Sequence, residues 1–272
     1  MNPKKILFIT QEICPYLPET QQSTTCRNLP QLIQEKGHEI RTFMPKYGSI
    51  NERRNQLHEV IRLSGMNLII DDTDHSLIIK VASIQSARMQ VYFIDNEDFF
   101  QNREATADEN GVEYDDNDER SIFFIRGVME TIKKLRWVPD IIHCHGWISA
   151  LAPIFVKKGY ADDPNFKNTK VIYSTYNDGF EKPFRDDFAD KLKFEGIDDG
   201  VIERIKQRGS MDFNALTKLA IEYSDGVIQG GDNLSEDITN FVKEKGVEFL
   251  AKDEDFDTYV NNVNEFYGKI DA

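Results

Sequence analysis

The sequence predicts an α/β protein, a single Rossmann-like domain with a mainly parallel sheet, and three observations carry that reading. The run Lys5-Ile-Leu-Phe-Ile-Thr10 is continuously apolar, as a central parallel strand buried on both faces must be. A βαβ unit follows it: a helix-like segment from Thr24 to Lys36, with Gly37 as a left-handed cap, leads into a strand from Glu39 to Met44. Asp140 to Pro153 then reads as a buried strand entering a helix through a His-Cys-His-Gly-Trp turn. In parallel α/β sheets that junction is where ligands bind.

The remaining elements keep the alternation. Strands are expected at Leu77 to Ser83, Gln90 to Ile94, Val138 to His143, Lys170 to Ser174 and Gly226 to Gln229. Helices are expected at Asp118 to Leu135, Ile148 to Lys158, Met211 to Tyr223 and Ser235 to Lys245. Asp71 to His75 reads as an acidic turn in a strand-rich insertion, and Glu104 to Glu119 as an acidic, solvated loop. Neither a repeat nor a second-domain boundary interrupts residues 1–245, and 272 residues can bury one large core. In 246–272, Phe256, Tyr259, Val260, Val263, Phe266 and Tyr267 recur at helical spacing, which predicts an amphipathic helix packed on the same domain.

Forty-seven acidic residues against 33 basic give a net charge of −14, which repels nucleic acid and anionic membrane alike. The apolar run after Met-Asn-Pro-Lys-Lys is too short for a signal peptide, and no stretch has the length of a membrane span, so a cytoplasmic location is expected. Cys14, Cys26 and Cys144 are an odd, scattered set that reads as reduced thiols.

At the His-Cys-His-Gly-Trp turn, Ile141 and Ile142 form the strand, while Trp147, Ala150, Leu151 and Ile154 recur at helical spacing. That places His145 and Gly146 at the strand's carboxyl end. Two readings stand: His145 and Trp147 face a ligand, or His143 is a hydrogen-bonded strand residue and Trp147 is core. Cys144 points to the opposite face, and no third ligand has zinc spacing, so no metal is expected. Asp115, Asp116, Asp118 and Glu119 lack the spacing and glycine of a calcium loop. Gly230-Gly231-Asp232 suits an ordinary turn better than an anion cradle.

Several stretches also stand in a characteristic order. They are Lys5 to Pro15, Leu29-Pro30, Lys36-Gly-His-Glu-Ile-Arg41, Met44-Pro-Lys-Tyr-Gly48, Val91 to Phe100, Asp116-Asn-Asp-Glu-Arg120, Asp140 to Trp147, and Met211 to Ile238 with Tyr223-Ser-Asp-Gly-Val-Ile228. Together they resemble the amino-terminal catalytic domain of bacterial glycogen synthases and plant starch synthases, retaining glucosyltransferases that use nucleotide-linked glucose. The resemblance implies the amino-terminal half of a glycosyltransferase B fold, and an α-glucan or malto-oligosaccharide as ligand.

The departures weaken the implied catalysis. Where the family has a Lys-Thr-Gly-Gly-Leu loop whose lysine and backbone amides meet donor phosphate, this chain has Pro18, Glu19, Thr20, Gln21 and Gln22. A carboxylate about 4 Å from a phosphate charge costs about 4 kcal/mol at an effective dielectric near 20, before screening. The His-Asp-Trp turn becomes His145-Gly146-Trp147, and Thr-x-His-Asn becomes Ser174-Thr175-Tyr176-Asn177. His145 alone carries over as a polar site residue. The resemblance also implies a second, donor-binding domain that the 272 residues do not include.

Three functions are therefore expected to compete. One is a glucan-binding or synthase-modulating homologue without autonomous catalysis, with His145, Trp147, Tyr176, Asn177 and Tyr16 facing the ligand. Another is a glucosyltransferase completed by a separate donor-domain chain. The third is a repurposed small-molecule enzyme with His145 as acid or base. No cofactor is expected in any of them.

Overall fold

The computed structural model describes residues 2–177 and 179–271. In chain order it contains β1 (Lys5–Thr10), α1 (Gln21–Glu35), β2 (Glu39–Pro45), β3 (His58–Glu59), β4 (Met66–Ile70), β5 (Thr73–Ile84), β6 (Met89–Asp95) and α2 (Asn117–Leu135). There follow β7 (Ile141–His145), α3 (Ala152–Ile154), β8 (Lys170–Thr175), α4 (Phe188–Lys191), α5 (Asp199–Lys206), α6 (Phe213–Glu222), β9 (Gly226–Gln229), α7 (Glu236–Lys245), β10 (Glu248–Leu250) and α8 (Phe256–Ile270).

The sheet order is β10-β9-β8-β7-β1-β2-β6-β5-β3, with β4 paired to β5. From β10 to β6 all neighbours are parallel, and the antiparallel pairings are confined to the β3–β4–β5–β6 end. The chain leaves β1 toward β2 and later returns to β1's other side as β7, so the strand order reverses between β1 and β7. That reversal opens a crevice at the carboxyl ends of those two strands.

Strand alternation sorts the core into two layers. Ile6, Phe8, Ile141, Ile172 and Ile228 face α1 and α8, where they meet Leu29, Ile33, Tyr259, Val263, Phe266 and Tyr267. Leu7, Ile9, Ile142, Cys144 and Val227 face the other way, into the cluster that includes Phe124, Val128, Leu216 and Leu219. Residues 246–272 supply both an edge strand and a helix: β10 extends the sheet beyond β9, and α8 buries Val260, Val263, Phe266 and Tyr267.

Several expectations shift. The first helix starts at Gln21 rather than Thr24, because Thr20 and Ser23 form a reciprocal capping box. The seventh strand begins at Ile141 and runs on to His145. The segment expected as one helix from Ile148 to Lys158 is broken into a 3-10 turn (Trp147–Ser149), α3 and a π-turn (Phe155–Gly159). Pro153 has no amide proton to continue a ladder from the preceding turn. The helix after Met211 begins at Phe213, where Asp212 caps it by accepting from the Ala215 amide. The acidic turn joins β4 to β5, with Asp71 and Asp72 both left-handed (φ 48° and 59°), as a two-residue hairpin turn requires.

The loop before α2 is solvated at its tip, where residues 109–112 are exposed, but its base is tied to the core. Arg120 is fully buried and donates from Nε to Phe99 O (2.8 Å), and from its terminal nitrogens to Ala105 O (2.9 Å), Glu104 O (2.5 Å) and Asn117 Oδ1 (2.7 Å). Asp118, also fully buried, accepts from Lys191 (3.1 Å) and Arg185 (2.8 Å). Arg120 and Asp118 thus tie the end of a charged run to the core, while Glu109 and Asp115 stay exposed.

Candidate functional site

Four parallel strands end at one edge of the sheet: β1 at Thr10, β7 at His145, β8 at Thr175 and β9 at Gln229. In the crevice between β1 and β7, Gln11 N donates to His145 O (3.0 Å), and Gly146 takes φ 85°. A β-carbon on residue 146 would meet the Gln22 carboxamide and would lie 2.6 Å from Gln11 Cβ. Gln11 and Gln22, both buried, fill the crevice that the topology creates.

His145 is fully buried, with Nδ1 2.9 Å from Tyr176 Oη and Nε2 without a partner among the described residues. Burial pushes its pKa down to about 3, so the ring is neutral at physiological pH. His143, on the same face of β7, has both ring nitrogens engaged: Nδ1 lies 2.7 Å from Tyr267 Oη and Nε2 2.7 Å from Ser174 Oγ. Burial, and secondarily His145, hold its pKa well below 6.5. Cys144 lies on the other face, where burial pushes its thiol far above the ordinary range. No cluster of His, Cys, Asp or Glu among the described residues suits a metal ion.

Of the other candidates, Tyr176 and Asn177 stand at the site. They help line a cavity of about 360 Å³ beyond the ends of β8 and β9, with Thr175, Phe180, Phe213 and Asn214. No lysine or arginine is among its described lining residues. The Tyr176 ring lies against Gly230, whose missing side chain makes room for it. Asn177 donates to Asn233 O. Trp147 does not face a ligand: it is fully buried, edge-on to Phe180 (5.3 Å between ring centroids), with its indole N–H donating to Thr106 Oγ1 (3.0 Å). Tyr16 is 7% exposed and edge-on to Phe93, and burial pushes its phenol up to about 12. Both rings serve packing because apolar neighbours surround them on the sheet.

The segment Pro18 to Gln22 is not an open phosphate loop. Thr20 Oγ1 accepts from Ser23 N (2.9 Å), Ser23 Oγ accepts from Thr20 N (2.8 Å), and Ser23 Oγ donates to Pro18 O (2.8 Å). The Thr20 hydroxyl in turn donates to the Glu12 carboxylate, whose pKa burial raises. Gln21 Nε2 donates to Asp232 (2.7 Å), which also pairs with Lys252. Glu19 is exposed at the mouth. The amino end of α1 therefore meets carboxylates supplied by the protein itself. Thr106, Phe180 and Asn214 lacked a motif, and Gln11, though within the Lys5 to Pro15 stretch, was not singled out as a site residue.

An open, mainly parallel α/β domain with its crevice and cavity at the carboxyl strand ends defines a Rossmann-like class, of the kind that forms a glycosyltransferase B fold. The chain belongs to the starch synthase catalytic domain family, which it matches over residues 5–252. It is 37% identical over 174 residues to a glycogen synthase of Chlorobium limicola, covering 64% of this chain and 36% of that protein. To a glycogen synthase of Chlorobaculum parvum it is 32% identical over 238 residues, covering 87% and 47%. The catalytic domain of starch synthase IV from Arabidopsis thaliana, solved with ADP and acarbose, superposes with a TM-score of 0.72 at 18% identity, over 92% of this chain and 51% of that one. The chain thus spans about half or less of the length of these relatives. Among the described residues no helix is long and apolar enough to cross a membrane.

Proposed function

We propose that this chain is a glucan-binding member of the starch synthase family that does not by itself transfer glucose from a nucleotide sugar. The observation that carries this reading is the closed amino end of α1. Thr20 and Ser23 cap it reciprocally, Glu12 holds the Thr20 hydroxyl, and Glu19 stands at its mouth. A helix amino end attracts phosphate through free amides and its dipole. Here one such amide is occupied, the segment Pro18 to Gln22 has no cation, and a diphosphate would meet like charge.

The cavity beyond β8 and β9 suits a neutral polyol better. Its hydroxyl, amide and aromatic lining from Thr175, Asn177, Asn214, Ser235, Phe180 and Phe213 offers hydrogen bonds and ring faces without a cation. A malto-oligosaccharide is the ligand that fits both this chemistry and the family. Modulation of a complete synthase through a shared glucan is the role that follows.

The test is transfer of labelled glucose from ADP-glucose to glycogen by the purified chain, beside binding of maltoheptaose. Incorporation at the level of a protein-free blank, with a maltoheptaose Kd of ~1 mM that Asn177→Ala weakens, supports the proposal. Catalytic incorporation by the chain alone contradicts it.

A further inference from the structure

We propose that Tyr267, acting through His143, is a positioning residue for His145, so that one hydroxyl carried on α8 sets the orientation of the imidazole at the strand end. This rests on the proposed saccharide cavity, whose lining residue Tyr176 holds His145.

Four contacts form a continuous path. Tyr267 Oη, on α8, lies 2.7 Å from His143 Nδ1; His143 Nε2 lies 2.7 Å from Ser174 Oγ on β8; the His143 and His145 rings are 4.1 Å apart between centroids; and His145 Nδ1 lies 2.9 Å from Tyr176 Oη. His143, His145, Ser174 and Tyr267 are all fully buried. An imidazole bonded at both nitrogens cannot turn about its Cβ–Cγ bond without breaking both bonds. The neutral ring has one donor and one acceptor, so the two hydroxyls also fix which nitrogen of His143 carries the proton.

His145 is held less completely. Tyr176 restrains one nitrogen, Phe8 lies at 6.0 Å on one side, and His143 supplies the nearest ring face. His145 Nε2 is itself buried and has no partner among the described residues, so the imidazole meets the saccharide cavity through the Tyr176 hydroxyl. The direction of the imidazole therefore depends on a ring whose own anchor comes from α8, about 120 residues further along the chain. Removing the Tyr267 hydroxyl leaves a buried His143 nitrogen unpaired and frees that ring to turn.

Tyr267→Phe removes one oxygen and keeps the ring that packs in the core. The full chain, labelled with ¹⁵N, is read by long-range ¹H–¹⁵N spectra of its histidine rings, with His145 assigned through His145→Gln. The expected result is a single, well-separated pair of His145 nitrogen resonances in the wild type. In Tyr267→Phe these move toward tautomeric averaging, and the maltoheptaose Kd rises about tenfold. Ile270→Ala, which loosens the same helix without touching His143, should leave the resonances in place. If Tyr267→Phe does not fold, Ser174→Ala removes the other anchor and is read in the same way. Unchanged His145 resonances in a folded Tyr267→Phe or Ser174→Ala chain, or equal changes in Ile270→Ala, would overturn the proposal. The ring spectra decide it even if the wild type binds no saccharide, a result that would instead count against the proposed function.

Discussion

The Gln22 carboxamide occupies the place that a β-carbon on Gly146 would need, so the start of α1 and the turn after β7 are fitted to each other. Two departures from the family pattern that lie 124 positions apart in sequence thus form one contact at the switch point of the sheet. The crevice is closed by this chain's own side chains.

That contact makes a coupling measurable. Gly146→Ala should destabilise the chain by ~2–4 kcal/mol, from a left-handed backbone and from the collision with Gln22 and Gln11. Adding Gln22→Ala should recover at least ~1 kcal/mol of that loss, as urea unfolding of the four chains in the cycle would show. Simple additivity of the two changes would mean that the residues are not in contact.

Arg120 supports the site from behind, since the loop it holds carries Thr106, the partner of the Trp147 indole. Arg120→Lys keeps a charge but loses the planar fork that reaches three carbonyls. A loss of ~2–4 kcal/mol and faster protease cleavage between residues 104 and 116 are expected. Wild-type cleavage kinetics in that variant would show that the loop holds itself.

Stability should fall in mild acid because of the buried histidines. Their folded pKa values are depressed, His145 to about 3, while the unfolded chain titrates near 6.5. Between those values the unfolded chain binds more protons, so the stability is present above about pH 6.5 and is lost as pH falls below it. From pH 7 to pH 5 His145 removes ~2 kcal/mol, and His143 acts in the same direction. The unfolding free energy of His145→Asn should therefore drop by about that much less over the same interval, and an equal drop would place the titration elsewhere.

Gly230→Ala would push a β-carbon into the Tyr176 ring, 2.5 Å from its Cζ. Displacing Tyr176 takes the hydroxyl away from His145 Nδ1 and narrows the cavity. Weaker maltoheptaose binding is expected, together with ~1–3 kcal/mol of lost stability. A variant that binds as tightly as the wild type would separate Tyr176 from the saccharide site.

The fold was largely legible because its central strands are unbroken apolar runs. Lys5 to Thr10 and Gly226 to Gln229 fall where the pattern put them, and Gly37 is left-handed (φ 97°) as a helix cap should be. β10 was not legible: Glu248-Phe249-Leu250 is short and half exposed, and its pairing with β9 comes from the tertiary fold. Spacing located His145 at a strand end, yet it could not tell that the Trp147 ring turns into the Phe180–Phe184 cluster. The Thr20-x-x-Ser23 cap is a local signal, and it explains why Gln21 and Gln22 lie in a helix rather than in a loop. The Gln22–Gly146 contact has no local signal.

Calorimetric titration of the purified chain with ADP-glucose, beside a titration with maltoheptaose, tests the central claim most directly. A closed amino end of α1 with Glu12 and Glu19 beside it predicts no heat from ADP-glucose at millimolar concentration, and the cavity beyond β8 and β9 predicts heat from maltoheptaose. Saturable ADP-glucose binding would contradict the account, and would mean that the protein's own carboxylates do not keep the donor out.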